Sequence, residues 1–245
     1  MDAIFLPPTL DDTQAAATEL TAALVRVPQE WHAAAWQDGL DLIAVLDGLK
    51  PICVAGRGVT NEAWSAALRI VALRGGLTAL DDAAWDAEDS AGSLSPWYIA
   101  ASERRRRRRP LFYLGRDAAV RTAAALSARG RIAPAEEAEV LGYPPCCVAA
   151  HHRRMLALEH LAAELAARSA GGDERRMARM IETGAAPLPQ TSEDWRRYRL
   201  ATDCQFAPFT SVAMCDACSA SDASPAHSLS RRYRALAQRA GYAER

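Results

Sequence analysis

The heptapeptide Leu141-Gly142-Tyr143-Pro144-Pro145-Cys146-Cys147 is the most distinctive stretch of the sequence. Because proline is favoured at the first position of a helix, Pro145 predicts a helix that begins here and runs to about Arg168. Both cysteines then lie in the first turn, where unpaired N–H groups and the helix dipole favour a thiolate. The stretch therefore predicts a helix start that carries a reactive or metal-binding cysteine pair.

The two neighbouring cysteines are expected to have different roles. Adjacent side chains on a helix diverge by about 100°, so their sulfurs are not expected to ligate one ion together. Cys147 shares a helical face with the residues of the predicted buried stripe, namely His151, Met155, Leu158 and Leu165. We therefore expect Cys147 to be the buried ligand and Cys146 to be a more exposed thiol.

A second cysteine segment, Cys204-x10-Cys215-x2-Cys218, follows the heptapeptide. A C-x2-C turn lets two sulfurs converge on one centre, at about 2.3 Å from a zinc ion. Their polar neighbours place these two cysteines in a loop, whereas Cys53, in an apolar strand, is interpreted as a buried small hydrophobic residue. The predicted metal ligands are Cys146, Cys147, Cys204, Cys215 and Cys218.

The kind of metal and the activity stay open at this stage. An iron–sulfur cluster is favoured because all the ligands are sulfur atoms from distant segments, and zinc is the alternative. An incompletely ligated centre would leave an open position for a small-molecule substrate, which would make the protein an enzyme. A structural zinc would instead indicate a binding module. Redox transfer through the cysteines without a metal is a third interpretation.

The remaining segments predict an α+β fold that is mainly helical with a few short strands; a small α/β layer is the alternative. Residues 13–27 are typical of an alanine-rich helix, and Asn61 is expected to cap a helix that ends at Arg74. The apolar segments 51–56 and 111–116 predict strands. Residues 81–98 are interpreted as a loop or weak helix, and Pro225 starts a last amphipathic helix.

Six arginines, residues 104–109, precede Pro110 and divide the chain. We expect an N-terminal helical and strand region (1–103), an arginine-rich connector (104–110) and a cysteine-motif metal-binding region (111–245). The run is interpreted as a solvated connector; the alternative is a contact with nucleic acid or another acidic partner. Lys50 is the only lysine, and this arginine bias is attributed to GC-rich codon usage.

Composition excludes several classes of protein. With 50% apolar and 24% charged residues among 245, the chain is not expected to be disordered. A net charge of −1 excludes a globally basic nucleic-acid binder. The first residues lack signal-peptide features and no stretch is long enough to span a membrane, which indicates a cytoplasmic protein without a membrane partner.

Familiar catalytic and nucleotide-binding motifs are absent from the sequence. Gly56-Arg57-Gly58 does not extend to G-x-G-x-x-G, and there is no P-loop, G-x-S-x-G or H-E-x-x-H. Nothing in the sequence indicates the oligomeric state. The functional information therefore lies in the cysteines.

Residues 111–240 resemble a little-characterised prokaryotic family that is recognised by a Leu-Gly-Tyr-Pro-x-Cys-Cys motif and downstream cysteines near the C-terminus. Residues 141–147 carry the specific part of the resemblance, and the C-x10-C-x2-C segment carries the rest. The resemblance implies a shared cysteine site and no particular reaction. The family usually has an acidic or aromatic residue soon after the cysteines, where this chain has Ala149-Ala150-His151-His152.

Overall fold

The computed structural model describes residues 10–56, 61–89, 91–108 and 110–242. These residues form eleven α-helices, a short 3-10 helix at Gln29–Trp31 and five short strands, which confirms the predicted α+β class. The helices are α1 (Leu10–Leu24), α2 (His32–Leu46), α3 (Glu62–Arg74), α4 (Pro96–Arg107), α5 (Asp117–Arg129), α6 (Pro134–Leu141), α7 (Pro145–Ala170), α8 (Glu174–Thr183), α9 (Ser192–Thr202), α10 (Asp216–Ser219) and α11 (Pro225–Ala240). The strands are β1 (Ile52–Ala55), β2 (Thr78–Ala83), β3 (Asp86–Ala87), β4 (Pro110–Gly115) and β5 (Arg131–Ile132).

An antiparallel sheet of three strands, in the order β1-β4-β2, separates two hydrophobic clusters. Side chains alternate between the two faces of a strand. Cys53 and Leu114 accordingly pack with α1, α2, α3 and α11, whereas Val54 and Tyr113 pack with α5 and α6. The first cluster joins residues from both ends of the chain. The core is therefore continuous across the expected boundary at 104–110.

Two smaller units complete the fold. Strands β3 and β5 form a short parallel pair. Helices α4, α7 and α8 enclose a third hydrophobic cluster that includes Tyr98, Ala166 and Ile181. No helix in the described part of the chain combines the length and apolarity needed to cross a membrane.

The turn before the cysteine helix depends on Gly142. Helix α6 ends at this residue in a left-handed conformation with φ of 69°, which glycine adopts without a steric penalty. A Cβ atom at this position would lie 2.8 Å from Cδ of Pro51. The glycine therefore lets the chain pass close to the residues before β1 and turn into α7 at Pro145.

The prediction for residues 81–98 was wrong in part. Residues 81–98 are not a loop throughout, because Thr78–Ala83 form strand β2 and α4 begins at Pro96. Asp81 and Asp82 weaken the strand signal in the sequence, and pairing with β4 supplies the order that local propensity lacks.

The arginine run, interpreted above as a solvated connector, is helical over its described residues; Arg109 lies outside them, as do residues 1–9 and Arg57-Gly58. Arg104–Arg107 form the last turn of α4, since arginine is a good helix former and its charge suits a helix C-terminus. Arg104 and Arg108 pair with Glu182 of α8. Arg106 is buried and donates to the carbonyls of Ala84 and Ser127 at 2.8 and 3.0 Å.

The buried face of α7 also differs from the predicted stripe. Cys147 and Leu165 are buried, as expected, but His152 is buried in place of His151, and Met155 is 38% exposed. The difference arises because α6 and α8 cover neighbouring parts of this long helix. Met155 faces a cavity that the sequence pattern did not indicate.

Candidate metal centre

Four cysteines converge at the start of α7. Cys146 and Cys147 come from its first turn, and Cys215 and Cys218 come from the turn around α10. Their four sulfur atoms all lie within 4.8 Å of one another. The Sγ atom of Cys146 is 3.6 Å from that of Cys218, and the Sγ atom of Cys147 is 4.0 Å from that of Cys215. This arrangement is compatible with a cysteine-ligated metal site.

The sulfurs of Cys146 and Cys147 lie in the same group, although neighbouring helical side chains were expected to diverge too far to ligate one ion together. Neighbouring Cα–Cβ bonds do diverge around the helix axis, but all of them tilt toward the helix N-terminus. A centre just beyond the end of α7 is therefore within reach of both side chains. The predicted difference in exposure is confirmed, because Cys147 is buried and Cys146 is exposed.

Cys215 and Cys218 are buried, whereas Asp216 and Ala217 between them are exposed. Cys215 is the residue before α10, and Cys218 lies within this short helix. The hydroxyl of Ser224 donates to the carbonyl of Cys218 at 3.0 Å and accepts from the backbone N–H of His227. One serine therefore ties the cysteine turn to the start of α11.

Two cysteines lie outside the group. Cys204, which was predicted as a ligand, is half-buried after the end of α9 and is not among the four converging sulfurs. Cys53 is fully buried in β1, as predicted, and burial raises the pKa of its thiol well above the usual value. Both residues serve as natural controls for the site.

Three of the clustered thiols have shifted pKa values. Burial and the neighbouring thiols raise the pKa of Cys146, and burial raises that of Cys147, against the expected effect of the helix N-terminus. Burial also acts to raise the pKa of Cys218, but the backbone N–H of Ala226 and the adjacent thiols lower it overall. Among Cys146, Cys147 and Cys218, only Cys218 therefore has a lowered pKa.

A buried polar network, which the sequence analysis missed, holds the turn that leads into the site. The ammonium of Lys50 donates to Asp41 at 2.9 Å and to the hydroxyl of Tyr143 at 2.6 Å. The hydroxyl of Tyr233 donates to the other oxygen of Asp41 at 3.0 Å, and Ser211 hydrogen-bonds Tyr143. Burial acts to lower the pKa of Lys50, but Asp41 and Tyr143 raise it overall.

The network links the two segments that carry the clustered cysteines. Tyr143 precedes Cys146 by three residues, and Ser211 precedes Cys215 by four. The sequence contains one indication of this network: Lys50 is the only lysine in an arginine-rich chain. Arginine would not fit here as lysine does, since its planar guanidinium has a different shape from the compact ammonium.

Arg154 braces the segment before the C-x2-C turn from the other side. Its guanidinium donates to the carbonyls of Ala213 and Met214 at 3.3 and 3.1 Å.

No protein-family model, curated protein or solved structure matches this chain. The family resemblance of residues 141–147 stays a prediction, and the chemistry of the site has to follow from its geometry.

Proposed function

We propose that the protein binds one zinc ion through Cys146, Cys147, Cys215 and Cys218, and that this ion fastens the C-terminal cysteine segment to α7. The observation that carries the proposal is the convergence of four sulfur atoms within 4.8 Å of one another. Tetrahedral geometry with metal–sulfur bonds of about 2.3 Å separates the sulfurs by about 3.8 Å. The separations of 3.6 and 4.0 Å lie on either side of that value.

A single ion suits these separations better than the iron–sulfur cluster that the sequence favours. In a cluster, iron and sulfide atoms occupy the space between the cysteines, and the cysteines are shared among several irons. The cysteine sulfurs are then further apart than around one ion. Four sulfur donors around one ion are typical of zinc in structural sites.

The donor set also supports a structural role over a catalytic one. Zinc in structural sites is four-coordinate, whereas catalytic zinc keeps a position for water or substrate. Four thiolates fill a tetrahedron and leave no such position. The ion would supply the positive charge that lets all four thiols ionise together.

The topology explains what the ion would stabilise. Its ligands come from two segments separated by 68 residues between Cys147 and Cys215. Besides the metal, the segment between α9 and α11 is held by the buried side chains of Ala207, Val212 and Met214 and by hydrogen bonds to its carbonyls from Arg154 and Ser230. Since structural zinc sites contribute directly to folding free energy, the metal would fix this segment against α7.

Metal and sulfide content test the proposal. Protein purified without oxygen should contain one zinc per chain and no acid-labile sulfide, and cobalt substitution should give the intense visible absorption of a tetrahedral thiolate site. A brown protein with iron and sulfide would contradict it. A folded protein with the same thermal stability before and after complete metal removal would contradict the structural role.

A further inference from the structure

The four clustered cysteines differ in their access to solvent. Cys146 is exposed, whereas Cys147, Cys215 and Cys218 are buried. The Sγ atom of Cys146 lies 3.6 Å from that of Cys218, so the exposed cysteine has a buried thiol beside it. Since reactive cysteines are those that a reagent can reach, a small reagent in solution encounters Cys146 before the other three.

The pair Cys146 and Cys218 joins two segments of the chain. Cys146 lies in the first turn of α7 and Cys218 lies in α10, 72 residues further along the sequence. A disulfide between the neighbours Cys146 and Cys147 is disfavoured. Adjacent helical side chains diverge by about 100°, whereas a disulfide needs Cβ atoms about 3.5–4.5 Å apart. The exposed sulfur is therefore expected to pair across the two segments.

We propose that Cys146 is a redox modification site, at which hydrogen peroxide closes a disulfide with Cys218 and displaces the zinc ion. This inference rests on the proposed function, because it concerns the oxidation state of the same four ligands. Binding to zinc keeps the sulfurs as thiolates, which is the form of cysteine that reacts with peroxide.

The oxidation takes two steps, and its electrons balance. The thiolate of Cys146 attacks one oxygen of hydrogen peroxide; the O–O bond breaks, and a sulfenic acid and a hydroxide ion form. The thiolate of Cys218 then attacks the sulfenic sulfur, which forms the S–S bond and releases a second hydroxide ion. The two thiolates together lose two electrons, and the peroxide gains them.

Disulfide closure changes what holds the two segments together. Only Cys147 and Cys215 stay as thiolate ligands, and a structural zinc site needs four ligands, so the ion is lost. The disulfide joins the same segments, α7 and α10, that the ion would hold. Because a disulfide across a long loop restricts the unfolded chain, the oxidised metal-free protein should be more stable than the reduced metal-free protein.

Zinc release and disulfide mapping test the proposal on the zinc-loaded full-length protein. Hydrogen peroxide should release one zinc per chain to a chromophoric chelator, and a thiol reductant with added zinc should restore the site. Trypsin and a protease that cleaves before aspartate together place Cys146 in residues 132–153 and Cys218 in residues 216–221. Mass spectra without reduction should show these two peptides linked, and fragmentation should place the link at Cys146.

Thermal unfolding compares the two metal-free forms. Protein oxidised by peroxide should unfold at a higher temperature than reduced protein from which a chelator has removed the zinc. Equal unfolding temperatures would contradict the role of the disulfide in joining α7 to α10.

Cys204→Ser is the matched control, because Cys204 is half-buried and is not among the four converging sulfurs. This variant should release zinc as the wild type does and give the same linked peptides. Zinc retained in peroxide, or released with a disulfide between any other pair of cysteines, would overturn this inference and leave the zinc proposal intact. Protein purified without zinc would instead contradict the zinc proposal, and this inference with it.

Discussion

The ammonium of Lys50 hydrogen-bonds the phenol oxygen of Tyr143 at 2.6 Å, across 93 residues of sequence. This contact connects Lys50, two residues before β1, to the turn that precedes Cys146 and Cys147. Both Lys50 and its carboxylate partner Asp41 are buried, with 5% and 4% exposure. A charged pair inside the protein core therefore holds the turn that carries two of the four clustered cysteines.

Replacing Lys50 by methionine should destabilise the fold by about 3–5 kcal/mol, because it leaves the carboxylate of Asp41 buried without its counter-charge. Urea denaturation measures the loss. The double variant Asp41→Asn/Lys50→Met removes both charges and should recover more than half of it. A double variant no more stable than Lys50→Met would contradict the importance of the buried charge.

Tyr143→Phe tests the link between this network and the cysteines. The variant keeps the ring but removes the hydroxyl that bonds Lys50 and Ser211, which should cost about 1–2 kcal/mol. It should also lower zinc affinity, measured by competition with a chromophoric chelator. Unchanged affinity would show that the network stabilises the core without positioning the cysteines.

Gly142→Ala should destabilise the protein more than Gly171→Ala. Both glycines have positive φ, 69° and 59°, so both substitutions carry the backbone penalty of about 1–2 kcal/mol. Only at Gly142 would the new methyl group meet Pro51, at 2.8 Å; at Gly171 nothing lies within 4 Å among the described residues. Equal losses in thermal denaturation would exclude this crowding.

Single substitutions of the cysteines, by alanine at Cys53 and by serine elsewhere, should divide the six cysteines into two groups. Variants at Cys146, Cys147, Cys215 and Cys218 should lose most bound zinc and unfold at lower temperature, because metal binding is coupled to folding. Cys204→Ser should keep wild-type zinc content, and so should Cys53→Ala. Full zinc content in Cys146→Ser would restore the distinction between the neighbouring cysteines that the sequence predicts.

Glu159 should make stability fall as the pH rises. Burial raises the pKa of this carboxyl to about 7, despite its pair with Arg131, from about 4.3 in an unfolded chain. The folded state holds the proton more tightly, so its contribution is complete below pH 4.3 and is lost as the pH rises through 7, by about 4 kcal/mol. Glu159→Gln should lose less stability than wild type between pH 5 and pH 8 in urea denaturation. Parallel losses would contradict the raised pKa.

Local sequence signals predicted most of the fold, and the errors have physical causes. Asn61 caps α3 through its side chain, and Pro145 starts α7, because these preferences act within one helical turn. Strand β2 was missed because its residues gain their order from β4, which is distant in the sequence. The helical state of Arg104–Arg107 was not predicted, because a run of like charges is typical of a solvated segment although arginine is a good helix former.

The candidate site was predictable in its residue types but not in its assembly. A C-x2-C turn and a Pro-Cys-Cys helix start identify the four converging cysteines. The spacing also suggested Cys204 as a ligand. Spacing carries no information on which loop turns toward α7. The partners of Lys50 could not be found from the sequence, because Asp41, Tyr143 and Tyr233 meet only through tertiary packing.

The most direct test of the zinc proposal is X-ray absorption at the zinc edge of protein purified without added metal. The proposal predicts four sulfur scatterers at about 2.3 Å and no nitrogen, oxygen or second metal in the first coordination shell. Two or three sulfurs completed by lighter atoms would contradict the closed site. Zinc at trace level, with iron and sulfide in its place, would contradict the single ion.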